Sequence, residues 1–261
     1  MFWKIVQSLD QSLSNLLTFG YRQKARLEVM KDLSEYTGLL IEDVITRMKS
    51  DTAKACYDEW QQLNPKNHEQ IIDFYKTTEG YLFDLARYDY FHQNWRERLP
   101  GLCKGRILDY GGGIGDMIIR CAHRGFRDLT YYDIEGKTMT FAKWRFAKKG
   151  ITVQIIKASD EEDRLKGKYD SIFCFDVLEH VTEPMKHAER LIKHLSKGGR
   201  LFIQVAKKSV HQPMHISSFD VEQYLSSRGL SKRISSPFGM TNITPSLRQK
   251  SHRIWVNSLP T

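Results

Sequence analysis

Residues 106–116, RILDYGGGIGD, constrain this chain more than any other stretch. Ile107 and Leu108 read as a short apolar strand, Asp109 follows, and a glycine cluster leads into helical apolar spacing at Met117, Ile118 and Ile119. That order is strand, tight turn, helix. Glycines at 111, 113 and 115 let the backbone turn sharply and let a ligand approach it closely, because no Cβ intervenes. A dinucleotide fingerprint requires a glycine at the sixth position of the turn, but counting from Gly111 that position holds Asp116. Asp109 and Asp116 bracket the turn, and both would repel a phosphate that the helix dipole alone would attract. The electrostatics favour a ligand with positive charge and no phosphate.

Downstream of Pro100-Gly101 the pattern alternates between strands and helices, which predicts a parallel sheet covered on both faces. Expected strands are 107–109, 129–133, 151–156, 171–175 and 200–205, with a last strand at 253–256. Helices are expected to end near Gly125 and Gly150, and another runs from Glu183 to Leu195 and stops at residues 197–199 (KGG). A helix is also expected over 219–228. Before this region, residues 22–95 are helical in pattern, with breaks at Thr37-Gly38 and Asn64-Pro65. The expected division is a helical cap over 1–98, gathering substrate, and a ligand-binding domain over 99–261. Tyr88, Tyr90 and Trp95 belong to an aromatic tract that can line a substrate pocket, although such spacing also suits a core.

The turn resembles the first motif of the class I S-adenosylmethionine-dependent methyltransferases, a hydrophobic strand, an acid and a G-x-G-x-G turn, matched by residues 107–115. Two further stretches strengthen the resemblance. Residues 175–181 (FDVLEHV) match the D/E-V-L-E-H-V segment of many small-molecule members, the quinone-biosynthesis type among them. Residues 195–203 (LSKGGRLFI) are similar to the family's L-x-P-G-G-x-L entry to strand five, with Lys197 where proline is usual. The resemblance covers about residues 104–205. It implies a Rossmann-like α/β fold in which the final strand inserts antiparallel into an otherwise parallel sheet, and S-adenosyl-L-methionine as cofactor. That cofactor carries a sulfonium and an ammonium and no phosphate, in agreement with the acids around the turn.

Open α/β sheets bind ligands at the carboxyl ends of their strands. Asp109 ends the first strand and, by the resemblance, orders the turn and faces the methionine part. Tyr110, Gly111, Gly113 and Gly115 continue the cofactor site. Asp133 ends the second strand, where a carboxylate can accept both ribose hydroxyls or merely cap a helix beside Ile134. Ser159 and Asp160 follow the third strand and can face adenine; Phe175 and Asp176 end the fourth.

Transfer of a methyl group in line with a leaving sulfur relies on positioning, but a hydroxyl or thiol acceptor also needs a base. His180, His211 and His215 are the candidates, with Glu179 beside them as a substrate contact. His211 and His215 lie four residues apart, but Pro213 between them argues against one helical face, and no carboxylate is near them in sequence. No metal site is expected. The four cysteines show no metal-ligand spacing and suggest buried thiols in a reducing, cytoplasmic setting.

The formal charge is +9, and from Gly198 onward nine basic residues face only Asp220 and Glu222. This favours an anionic partner, whether nucleic acid, a membrane surface or an acidic substrate, or else forms a solvated basic face that keeps the protein soluble. Phe2, Ile5, Val6, Leu9, Leu13, Leu16 and Leu17 make residues 1–20 an amphipathic helix that can pack on the core or lie on a membrane, while no run is long enough to span one. A small organic acceptor is expected. The rivals are an RNA or protein methyltransferase and a scaffold that binds the cofactor without turnover. Base-amino methylation is disfavoured, since the N/D-P-P-Y/F turn usual after strand four is absent from residues 174–176.

Overall fold

The computed structural model describes residues 27–92, 96–159, 162–206, 213–232 and 253–257. The amphipathic stretch expected over residues 1–20 lies outside them. Helical backbone begins the described chain at residues 27–37 (α1), followed by α2 (Ile41–Lys49), α3 (Thr52–Leu63), α4 (His68–Thr77) and α5 (Gly80–His92). The sequence breaks fall where expected. Gly38 takes a positive φ after α1, and Asn64 adopts the left-handed conformation ahead of Pro65. Asp51 and Asn67 accept backbone amides at the starts of α3 and α4, which satisfies donors a helix end leaves open.

A 3₁₀ turn at Arg96–Leu102 leads into β1 (Ile107–Tyr110), α6 (Asp116–His123), β2 (Leu129–Asp133), α7 (Lys137–Lys148), β3 (Gln154–Lys157) and β4 (Tyr169–Phe175). A further 3₁₀ turn at Leu178–His180 precedes α8 (Pro184–His194), β5 (Leu195–Gln204), α9 (Val221–Ser227), β6 (Leu230–Lys232) and β7 (Arg253–Asn257). The sheet order is β3-β2-β1-β4-β5-β7-β6, with β1 to β5 mutually parallel. β7 pairs antiparallel with β5, Arg200 opposite Val256, and antiparallel with β6.

Several boundaries differ from the sequence expectation by a few residues, and two of them bear on the topology. Residues 197–199 do not stop α8; the helix ends at His194, and β5 begins at once with Leu195 opposite Tyr169. The ladder then resumes with Arg200 opposite Ser171, so residues 196–199 form an irregular excursion of the strand. The glycines there serve a bulge, which local pattern does not distinguish from a helix terminator. β3 starts three residues later than the apolar run at Ile151, because its partner on β2 begins at Thr130.

Strand alternation builds two cores. Leu108, Tyr110, Ile172, Cys174, Leu201 and Ile203 face α8 and α9, where Ala188, Leu191, Val221 and Leu225 meet them. Ile107, Tyr131, Phe173 and Phe202 face the other way, toward Met117, Ile118, Met139 and Phe146 of α6 and α7. Helices α1 and α5 pack on this second layer: Val29, Met30, Leu33, Leu82 and Phe83 form one cluster with Ile114 of the glycine turn and Phe141 of α7.

Gly115 sits at the join. Its φ is 81°, and a Cβ there would stand 2.5 Å from Cζ of Phe146. Gly115→Ala should therefore lower stability by about 1–3 kcal/mol, combining overpacking with a disfavoured φ. Gly125, with φ of 95° but nothing within 4 Å, should lose less as Gly125→Ala. Urea unfolding of the two variants measures the difference.

Candidate active site

In the strand order, β1 and β4 are neighbours whose connections wind in opposite directions, which leaves a crevice at their carboxyl ends. Asp109, Asp133 and Asp176 all line that crevice, with Gly111, Gly112, Gly113, Ile114 and Asp116 of the turn. Helices α4 and α5 supply the opposite wall through Ile72, Tyr75, Tyr81, Leu85 and Tyr88. The cleft is thus acidic on the sheet side and apolar, largely aromatic, on the facing side.

Asp133 does more than end a strand. Its Oδ2 accepts the Gly113 amide at 2.6 Å and its Oδ1 accepts the Ile134 amide at 2.7 Å, while the Tyr131 hydroxyl donates to the Gly113 carbonyl at 2.7 Å. The end of β2 therefore fixes the turn that follows β1. Burial raises the Asp133 pKa to about 6, with those amides and the tyrosine opposing the rise. Asp109 is more extreme. It is 4% exposed, and its Oδ2 is buried without a hydrogen-bond partner among the described residues. Burial, then the neighbouring Asp133 charge, pushes its pKa to about 7 against the pull of Arg96.

Asp176 occupies the left-handed region at φ 54°, which aspartate tolerates better than most residues. Arg96 Nη2 donates to its Oδ2 at 2.8 Å and Gln204 Nε2 donates to its Oδ1 at 2.8 Å. The Arg96 guanidinium lies between two rings, 5.4 Å from the centre of Tyr88 and 4.5 Å from that of Phe175. Sequence reasoning missed Arg96, Tyr75, Tyr81 and Gln204. Tyr81 stood inside the noted aromatic tract, but nothing local marks Arg96 or Gln204, whose roles arise from contacts across 80 and 28 residues of chain.

The other expected site residues are placed as follows. Phe175 and His180 line the cleft, as does Ile134. Tyr110 points away from it: the ring stacks on Tyr132 at 4.6 Å and its hydroxyl pairs with His187 Nδ1 at 2.5 Å, because alternation sends residues 109 and 110 to opposite faces. Gly115 packs beneath α7, behind the lining. Ser159 is held by its backbone, with its carbonyl accepting from Arg190 at 3.0 Å, and is not part of the lining. Asp160, His211 and Trp95 lie outside the described residues, as does the side chain of Tyr90. Of the basic residues behind the anionic-partner expectation, Lys207, Lys208, Arg233, Arg248 and Lys250 also fall outside them. No helix among the described residues is long and apolar enough to cross a membrane.

The histidines require a correction. A carboxylate does stand near His215: the side-chain ligand atoms of Glu179, His180 and His215 lie within 4.8 Å of one another, a group able to hold a metal ion. Chain folding after β5 returns His215 to the 3₁₀ turn at Leu178–His180, a contact invisible in sequence spacing. His180 Nδ1 pairs with the Tyr75 hydroxyl at 2.8 Å and the Met214 carbonyl at 3.0 Å, and its ring centre is 4.9 Å from that of His215. Glu179 is fully buried, with Oε1 accepting the Ala206 amide at 2.7 Å.

The buried acid at 109 gives a pH signature. Aspartate ordinarily titrates at 3.8, so a folded value of about 7 means the folded protein holds this proton more tightly than the unfolded chain. The associated stability is complete below the unfolded value and is lost as pH rises through about 7. Asp109→Asn should therefore stabilise the ligand-free protein at about pH 8 relative to wild type, with little effect at about pH 4, on a scale of about 1.4 kcal/mol per pKa unit. Thermal unfolding at the two pH values checks both the sign and the window.

A family profile described as a methyltransferase domain matches residues 81–235. The chain is 26% identical over 144 residues to a ubiquinone biosynthesis O-methyltransferase of Erwinia tasmaniensis, covering 54% of this chain and 59% of that protein. It is 28% identical over 115 residues to the enzyme of the same name from Pectobacterium atrosepticum, covering 43% and 47%. The chain thus spans about half the length of these relatives. Among solved structures, magnesium protoporphyrin IX methyltransferase from Synechocystis PCC 6803, with bound SAM, superposes with a TM-score of 0.50 at 21% identity. That match covers 77% of this chain and 91% of that one, and it shows a shared fold.

Proposed function

The chain belongs to the methyltransferase-domain family, and from that premise we propose that it binds S-adenosylmethionine in the cleft at the ends of β1, β2 and β4. It transfers the methyl group to a small organic acceptor held under the cap. Residues 1–98 act as the cap and 99–261 as the cofactor-binding domain. The observation that carries the reading is Asp109, whose buried Oδ2 has no hydrogen-bond partner among the described residues, beside a second acid at Asp133. Such a pair is unfavourable in an empty protein and suits a ligand that brings ammonium and hydroxyl donors. A phosphate would meet Asp109, Asp116, Asp133 and Asp176 around one cleft.

The cofactor supplies an electrophilic methyl on a positively charged sulfur. Asp109 is the acceptor for its ammonium end, and Asp133 for ribose hydroxyls, a role that shares its Oδ2 with the Gly113 amide. Phe175 and the cap tyrosines exclude water and present ring faces to positive charge. His180 is the group in the lining able to take a proton from a hydroxyl acceptor, with Tyr75 and the Met214 carbonyl fixing its ring through Nδ1. The relatives named as O-methyltransferases favour an oxygen acceptor for this chain.

Calorimetry with S-adenosylmethionine and S-adenosylhomocysteine tests the central claim, and no binding by either would sink it. Affinity for S-adenosylhomocysteine should rise between about pH 5.5 and 7.5 with release of protons, because both acids accept hydrogen bonds best when ionised and titrate at about 6 and about 7. Asp133→Ala should weaken binding by about 1–3 kcal/mol through unpaired hydroxyls and a loosened Gly113 amide. PH-independent binding, or unchanged affinity in the variant, would contradict the assignment of these acids.

A further inference from the structure

Helix α1 carries Glu28, Asp32 and Glu35 at spacings of four and three residues, one face of the helix. Helix α7 meets it with Arg145, Lys148 and Lys149. Lys149 Nζ reaches Glu28 at 2.5 Å and Asp32 at 2.9 Å; Lys148 Nζ reaches Asp32 at 3.0 Å and Glu35 at 2.6 Å. Arg145 goes further inward. Its Nε donates to Asp32 Oδ2 at 3.0 Å, while its Nη1 donates to the Ile114 carbonyl at 2.8 Å and to Asp116 Oδ1 at 2.6 Å. One guanidinium thus joins the cap to the last residues of the glycine turn. Ile114 and Asp116 both line the cleft.

This bridge is buried, with the Arg145 side chain 2% and that of Asp32 1% exposed. Burial disfavours the charge on both, yet Asp116 and Asp32 keep the arginine charged, and Arg145 with the two lysines holds Asp32 below the usual carboxylate range. An ion pair so placed gains little net stability over apolar packing, but it fixes geometry. Arginine suits the place because its planar fork serves several acceptors at once, which an ammonium does not. The apolar side of the same turn is gripped by the same cap, since Ile114 packs with Val29, Met30 and Leu33.

We infer that Arg145 is a positioning residue through which docking of helix α1 onto α7 sets the shape of the glycine turn, so that cap docking and cofactor binding are energetically coupled. The inference rests on the cofactor reading above. Coupling is reciprocal: if a docked cap favours the cofactor, the cofactor must favour the docked cap. A bridge that only stapled the fold would support stability without altering affinity in the folded protein.

The test uses the full chain and S-adenosylhomocysteine as probe. Asp32→Asn should weaken binding between about 5- and 150-fold, the range of ordinary site-to-site coupling. Glu35→Gln, which removes only the outer pair with Lys148 at a glutamate 57% exposed, should bind as wild type does. Equal affinity in Asp32→Asn, or an equal loss in Glu35→Gln, overturns the inference. Should Asp32→Asn fail to fold, wild type decides: hydrogen exchange across residues 27–37 should slow when the probe saturates the site. Unchanged exchange with the probe bound overturns the coupling and leaves the cofactor reading standing. A wild-type protein that does not bind the probe overturns both.

Discussion

The hydrogen bond from the Gly113 amide to Asp133, 2.6 Å long, holds together the parts on which the site depends. It ties the end of β2 to the turn after β1, and β1 is locked in parallel register between β2 and β4, Asp109 lying opposite both Tyr131 and Phe173. Because the three strands run the same way, their last residues must emerge on one edge. The acids at 109, 133 and 176 are therefore gathered by sheet topology, before any side chain chooses a rotamer. The turn has little room to adapt. A Cβ at Gly111, where φ is 71°, would stand 2.3 Å from Val177, so the chain must leave β1 with no side chain at that position.

That gathering is unfavourable in itself. The Asp133 charge adds to the difficulty of ionising Asp109 at a site already dehydrated, and Arg96, which opposes that rise, is committed to Asp176 at 2.8 Å. Folding elsewhere must offset this. The two apolar layers on either face of the sheet are extensive, and the acids of α1 are well matched by bases of α7. Strain kept at ligand-binding edges and compensated by ordinary packing is a common division in α/β proteins.

Much of the sheet was legible in sequence because its signals are local. The glycine turn and the start of β2 follow from residue chemistry over a few positions. Asp109, Asp133, Phe175 and Asp176 followed from the rule that ligands bind at strand ends. Tyr110 did not, because adjacency in sequence becomes opposition across a strand. Residues 197–199 did not, because two glycines suit a helix stop and a strand bulge equally. The Glu179, His180 and His215 group, the Arg96 pairings and the Arg145 bridge were beyond reach for one reason: each is made by segments that the fold, rather than the chain, brings together.

The same distinction separates the two walls of the cleft. The sheet side is built from β1, β2 and β4 with their turns, the stretches in which residues 107–115 and 175–181 carry the family's motifs. The facing wall is built from α4 and α5, through Ile72, Tyr75, Tyr81, Leu85 and Tyr88. The turn residues are bound by sterics and by Asp133, while on the facing wall Tyr75 is fixed by its hydrogen bond to His180 at 2.8 Å.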